Sequence, residues 1–62
     1  MPITERALVQ QRIRDCETKI RAQRVIIASM RANGRDADSA VNVLSALEAG
    51  QALRLRRLRA LA

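Results

Sequence analysis

The sequence predicts an all-α fold, an antiparallel helical hairpin that dimerises into a four-helix bundle. Three observations predict it. From Val9 to Met30, residues recur in alternating steps of four and three as Val9, Ile13, Cys16, Ile20, Gln23, Ile27 and Met30, a heptad stripe with one polar member. A single break, Asn33-Gly34, then interrupts the chain. Beyond it a second stripe follows: Ala40, Leu44, Leu47, Gln51, Leu55, Leu58 and Leu61 or Ala62, with Val43 beside it. Each stripe needs a cover, and each can supply it for the other.

Taken in order, Pro2 and Thr4 suit the start of a helix. Proline is tolerated in a first turn, Thr4 is a good N-cap, and Glu5 complements the positive end of the dipole. No Gly or Pro interrupts the chain from there to Ala32. Leu8 and Ile26 fall beside the stripe and widen it, as suits a helix with two neighbours, while Val25 points away. Gly34 is placed for the left-handed conformation that ends helices, and Arg31 and Arg35 suit the negative dipole end. Asp36 reads as the next N-cap, with Asp38 in the following first turn. The expected boundaries are a helix over about 4–32, a turn over 33–36 and a helix over about 37–60, one domain spanning 1–62. So short a connection forces the helices antiparallel. Gly50 falls mid-helix, where it is expected to mark a bend or a close approach by another backbone; Leu53 faces outward. Pairing positions about the turn sets Gln23 against Leu47 and Ile20 against Gln51, so the two glutamines are expected in adjacent layers.

Length and composition narrow the function. A chain of 62 residues buries only about 60% of the surface its unfolded form exposes, so its core is marginal without a staple. With one Cys and no His there is neither an internal disulfide nor an ordinary zinc site, which leaves self-association. Aromatic residues are absent, which favours helix over sheet and weighs against stacking on single-stranded nucleic acid. No apolar run approaches the roughly 20 residues of a membrane span. The opening Met-Pro-Ile-Thr-Glu-Arg does not have the pattern of a secretory signal. A cytoplasmic location is expected, and the lone Cys agrees with it. Without His, Tyr or Trp, and with no base beside Cys16 or any Ser, no catalytic site, cofactor site or metal site is expected. Asp36-x-Asp38 lacks the remaining ligands of a calcium loop and is explained by capping.

Two constellations stand out. Gln23 and Gln51 sit among apolar residues, where a buried amide network would lower stability and select register and oligomeric state; the alternative is that they lean to the edge and meet water. The net charge of +6 rests on eleven Arg and one Lys, concentrated in Arg54-Leu55-Arg56-Arg57-Leu58-Arg59. The hairpin brings Arg6, Arg12 and Arg14 to the same end, opposed by Glu5, Asp15 and Glu17. Together Arg6, Arg12, Arg14, Arg54, Arg56, Arg57 and Arg59 form a candidate anion-binding patch, because arginine forks match phosphate geometry. The plainer reading is that cations complement the helix end and their stems cover apolar surface. Cys16 reads as a small buried hydrophobe, or as an interchain disulfide near a dimer axis.

Ile20-x-x-Gln23, then Ile27-x-x-Met30-x-x-x-Gly34-x-Asp36-x-x-x-Ala40-x-x-x-Leu44-x-x-Leu47-Glu48, covers the middle half of the chain. In this spacing the chain resembles a class of short, uncharacterised helical-hairpin proteins of GC-rich proteobacteria, which implies a bacterial source and no particular activity. In outline it is also similar to Rop-type hairpins, which dimerise into four-helix bundles and bind RNA through a face that includes an aromatic. This chain has no aromatic to match it.

The expected function is non-enzymatic: a self-associating hairpin acting as a protein–protein interaction module or small regulator. Its expected self-association interface is Val9, Ile13, Cys16, Ile20, Gln23, Ile27, Met30, Leu44, Leu47, Gln51, Leu55 and Leu58. The expected partners are a second copy, giving a homodimer, and another protein; no membrane is expected. The rival reading is an RNA-binding dimer that uses the basic C-terminal end.

Overall fold

Thr4 starts the first helix as its side-chain chemistry requires. In the computed structural model, which describes residues 2–61, its hydroxyl accepts from the Ala7 amide at 3.1 Å, and helix α1 runs Glu5–Ala32. At the far end Gly34 takes φ +68°, its amide donates to the Arg31 carbonyl at 3.1 Å, and the Arg35 amide donates to the Met30 carbonyl at 2.8 Å. These two bonds form a Schellman motif and satisfy carbonyls the helix end would otherwise leave open. The Asn33 side chain adds a third, donating to the Ser29 carbonyl at 2.8 Å. A Cβ at Gly34 would meet nothing within 4 Å, so only the backbone resists substitution. Gly34→Ala should therefore lower stability by about 1 kcal/mol. Thermal unfolding at fixed concentration checks this; an unchanged melting temperature would contradict it.

Helix α2 runs Asp38–Ala60, so five residues, 33–37, join the helices, one more than the expected turn over 33–36. Asp36, the expected N-cap, is not the cap: Ala37, one residue later, occupies that position with no side-chain bond, and the Asp36 carboxylate accepts from the Asp38 amide at 2.9 Å in the turn before it. Ala37 is itself buried with Ile27 and Ala40, and Met30, Val41 and Leu44 pack against that cluster. The connection thus folds back along α1 before α2 begins.

That fold-back shifts the register. Gln23 reaches the Ala40 carbonyl instead of Leu47, and Gln51 reaches the Ile13 carbonyl instead of the layer of Ile20, both at 2.9 Å. The glutamines are consequently not in adjacent layers and form no network with each other. Their contact points on α2 lie eleven residues apart, roughly 16 Å at 1.5 Å per residue. Each bonds the backbone of the opposite helix instead.

On α1 the buried residues are Ile13, Cys16, Ile20 and Ile27, every one of them on the expected stripe. On α2 the stripe is corrected at one place. Beyond Gln51 the four-three alternation continues to Arg54, which is half-buried, and Leu55 is 41% exposed. A stripe with steps of four and three takes Arg54 after Gln51, and an arginine can occupy the seam because its stem is apolar. Leu61 is half-buried, and Ala62 lies outside the described residues.

The hairpin measures 48 × 21 × 13 Å, with a radius of gyration of 14.7 Å. A compact chain of this length would have a radius near 10.6 Å. Its accessible surface is 4865 Å²; a compact 6.9 kDa monomer would expose about 4,000 Å². Among the described residues no large side chain is fully buried, and no helix is long and apolar enough to cross a membrane.

Candidate functional site

Two arginine-rich hollows lie end to end on one side of the hairpin, and helical spacing explains why they form there. Arg12 and Lys19 are seven residues apart and so project from the same stripe of α1, with Asp15 between them. On α2, Leu47 and Arg54 share the same spacing. Arg12, Asp15, Cys16, Lys19, Leu47 and Arg54 together line a concavity of about 280 Å³. Toward the open end, Glu5, Leu8, Val9, Arg12, Leu53, Arg54 and Arg57 line a second of about 360 Å³. Arg12 and Arg54 belong to both.

Gly50 sets where the Arg54 guanidinium lies. A Cβ on Gly50 would come within 3.2 Å of Arg54 Nη1, so the arginine head is folded back one turn over the bare glycine. The close approach that Gly50 permits is therefore by this side chain, not by a second backbone. Charge within the hollows is unevenly matched. Arg57 bonds the Glu5 carboxylate, whereas Arg12, Lys19 and Arg54 have no carboxylate within salt-bridge distance among the described residues. The other cross-helix pair, Arg24–Glu48 at 3.4 Å, is solvent-exposed on both partners and contributes little.

The arginine patch expected from sequence thus divides. Arg12, Arg54 and Arg57 are brought together. Arg6, Arg14, Arg56 and Arg59 are exposed and line neither hollow. Lys19, absent from the expected set, joins the first hollow. Its heptad spacing from Arg12 was the available signal.

Most of the residues expected at a self-association interface hold the hairpin itself together. Ile13, Cys16, Ile20, Ile27 and Gln51 are buried between α1 and α2, and Val9, Gln23, Met30, Leu44, Leu47 and Leu58 are half-buried. Leu55 alone of the expected set is exposed, and it is joined outside by Ile3, Val25, Ile26 (48%), Val43 (50%) and Leu53 (63%) among the described residues. Ile26 lies seven residues beyond Lys19, and Val43 four before Leu47, so both continue the side of the hollows toward the turn. That side therefore has an apolar half near the turn and a basic half near the open end.

Cys16 Sγ donates to the Leu47 carbonyl at 3.6 Å and is buried between the helices. An interchain disulfide would require the helices to part, because bridged Cα atoms must come within about 7 Å. The small hydrophobe reading of Cys16 fits this placement. Gln51 donates through Nε2, and its buried Oε1 has no partner among the described residues. No family model, curated protein or solved structure matches the chain.

Proposed function

We propose that this hairpin is a non-enzymatic self-associating module, a homodimer that forms a four-helix bundle and acts through protein–protein contacts as an interaction module or small regulator. The observation that carries the reading is surface area. The chain exposes 4865 Å², about 900 Å² more than a compact chain of its mass. That surplus is close to the roughly 800 Å² each partner buries in a standard interface. The outward placement of Ile26 and Val43 supports the turn half of the basic side as the surface that a second copy covers.

Sedimentation of charge variants tests this. Val43→Lys and Ile26→Lys would each set a cation in the apolar half, and each is expected to shift the dimer to monomer. Val25→Lys is the control, since Val25 is exposed on the far side of α1 and should leave the mass unchanged. Equal disruption by all three, or a wild-type chain that is monomeric throughout, would contradict the proposal.

A further inference from the structure

We infer that the hollow between Arg12, Lys19 and Arg54 is a binding site for a phosphate monoester dianion. The inference does not depend on self-association, because it concerns the open half of the hairpin and not the apolar turn half. Three cations and one carboxylate, Asp15, line this concavity. Their formal sum is +2, and a phosphate monoester carries about −1.5 to −2 at neutral pH. The three cations have no ion-pair partner among the described residues, so the hollow concentrates positive charge that the chain itself does not neutralise. Arg57, by contrast, is paired with Glu5 and is not part of it.

The placement of Arg54 sets this hollow apart from an ordinary solvated charge. It occupies a seam position, is half-buried, and has its guanidinium laid back over Gly50 toward Leu47. A head group held against a helix surface loses less freedom when it bonds an anion than one waving in water. Its planar fork matches two phosphate oxygens at once, and Arg12 and Lys19 reach in from the facing helix as the second and third donors. Gly50 is unfavourable in a helix interior, and clearing a seat for this guanidinium gives it a role there. A long nucleic-acid strand fits less well. Arg6, Arg14, Arg56 and Arg59 lie outside both hollows, Arg57 in the second hollow is already paired with Glu5, and there is no aromatic on which a base could stack.

Titration of the full chain with glycerol phosphate, followed by amide chemical shifts in low-salt buffer, tests the site. Shifts are expected to centre on Arg12, Lys19, Gly50 and Arg54. Arg54→Gln should weaken binding by about tenfold, the factor for one lost charge-assisted hydrogen bond. Arg56→Gln, which removes the same charge outside the hollow, should change it less than about twofold, as expected for an exposed charge screened by solvent. Gly50→Ala separates fold from function: it should raise the melting temperature, since alanine is the better helix former, yet weaken binding by crowding the guanidinium. Binding should also fall as pH drops through about 6, where the monoester takes up its second proton. Equal losses in Arg54→Gln and Arg56→Gln would reduce the effect to net charge and overturn the site. So would the absence of shifts, or retention of a duplex RNA without any response to glycerol phosphate.

Discussion

Ile27→Ala is expected to unfold the hairpin at ordinary temperature. Ile27 is 6% exposed and is the largest buried side chain in the cluster that joins the turn to both helices, alongside Ala37 and Ala40. Its partners Met30, Val41 and Leu44 are only partly buried. Removing three carbons from such a site costs about 2–5 kcal/mol, from lost transfer energy plus the cavity left behind. A core of this size supplies no more than about 3–5 kcal/mol in total. The two figures are comparable, so little stability should remain. Circular dichroism at fixed chain concentration should show loss of the cooperative melt. A melting temperature lowered by only a few degrees would show that the turn-end cluster does not hold the helices together.

Gln51→Leu should act in the opposite direction and raise stability by about 1–2 kcal/mol. Gln51 is 8% exposed, one of its amide atoms is bonded and the other is not. A buried acceptor without a partner costs about 1–3 kcal/mol, whereas the bond from Nε2 contributes only about 0.5–1.5 kcal/mol net. The Ile13 carbonyl loses little, because it lies inside α1 and keeps its helical bond. Leucine has a similar volume and fills the same space. The gain in stability should come with weaker register, since Gln51 fixes α1 against α2 by a bond that leucine cannot make. A lower melting temperature in Gln51→Leu would mean that Oε1 is satisfied in the folded protein, and that the glutamine is a net asset.

Much of the hairpin is legible in the sequence because its signals are local. The α1 stripe, the Thr4 cap and the left-handed Gly34 each depend on a few neighbouring residues, and each stands where the spacing put it. Register is a different matter. It depends on how the chain crosses from one helix to the other, and residues 33–37 fold back along α1 instead of turning symmetrically about Gly34. That is why Gln23 and Gln51 look adjacent on paper and are widely separated in space. The second miss came from chemistry. A reading by hydrophobicity takes Leu55 into the α2 seam, while strict four-three spacing takes Arg54, and Gly50 one turn earlier gives the guanidinium its seat. The division of the arginines followed from the same cause, because facing depends on phase around the helix and not on proximity along the chain. Lys19 stands outside the expected patch because it lies far along the chain from the C-terminal arginine run.

Self-association through uncovered apolar surface is tested most directly by molar mass across a dilution series. Light scattering coupled to size exclusion should give twice the 6.9 kDa chain mass at high concentration. On dilution the mass should fall, and the melting temperature with it, because association stabilises the fold by mass action. A single-chain mass at every concentration, with a cooperative melt that does not move on dilution, would contradict it.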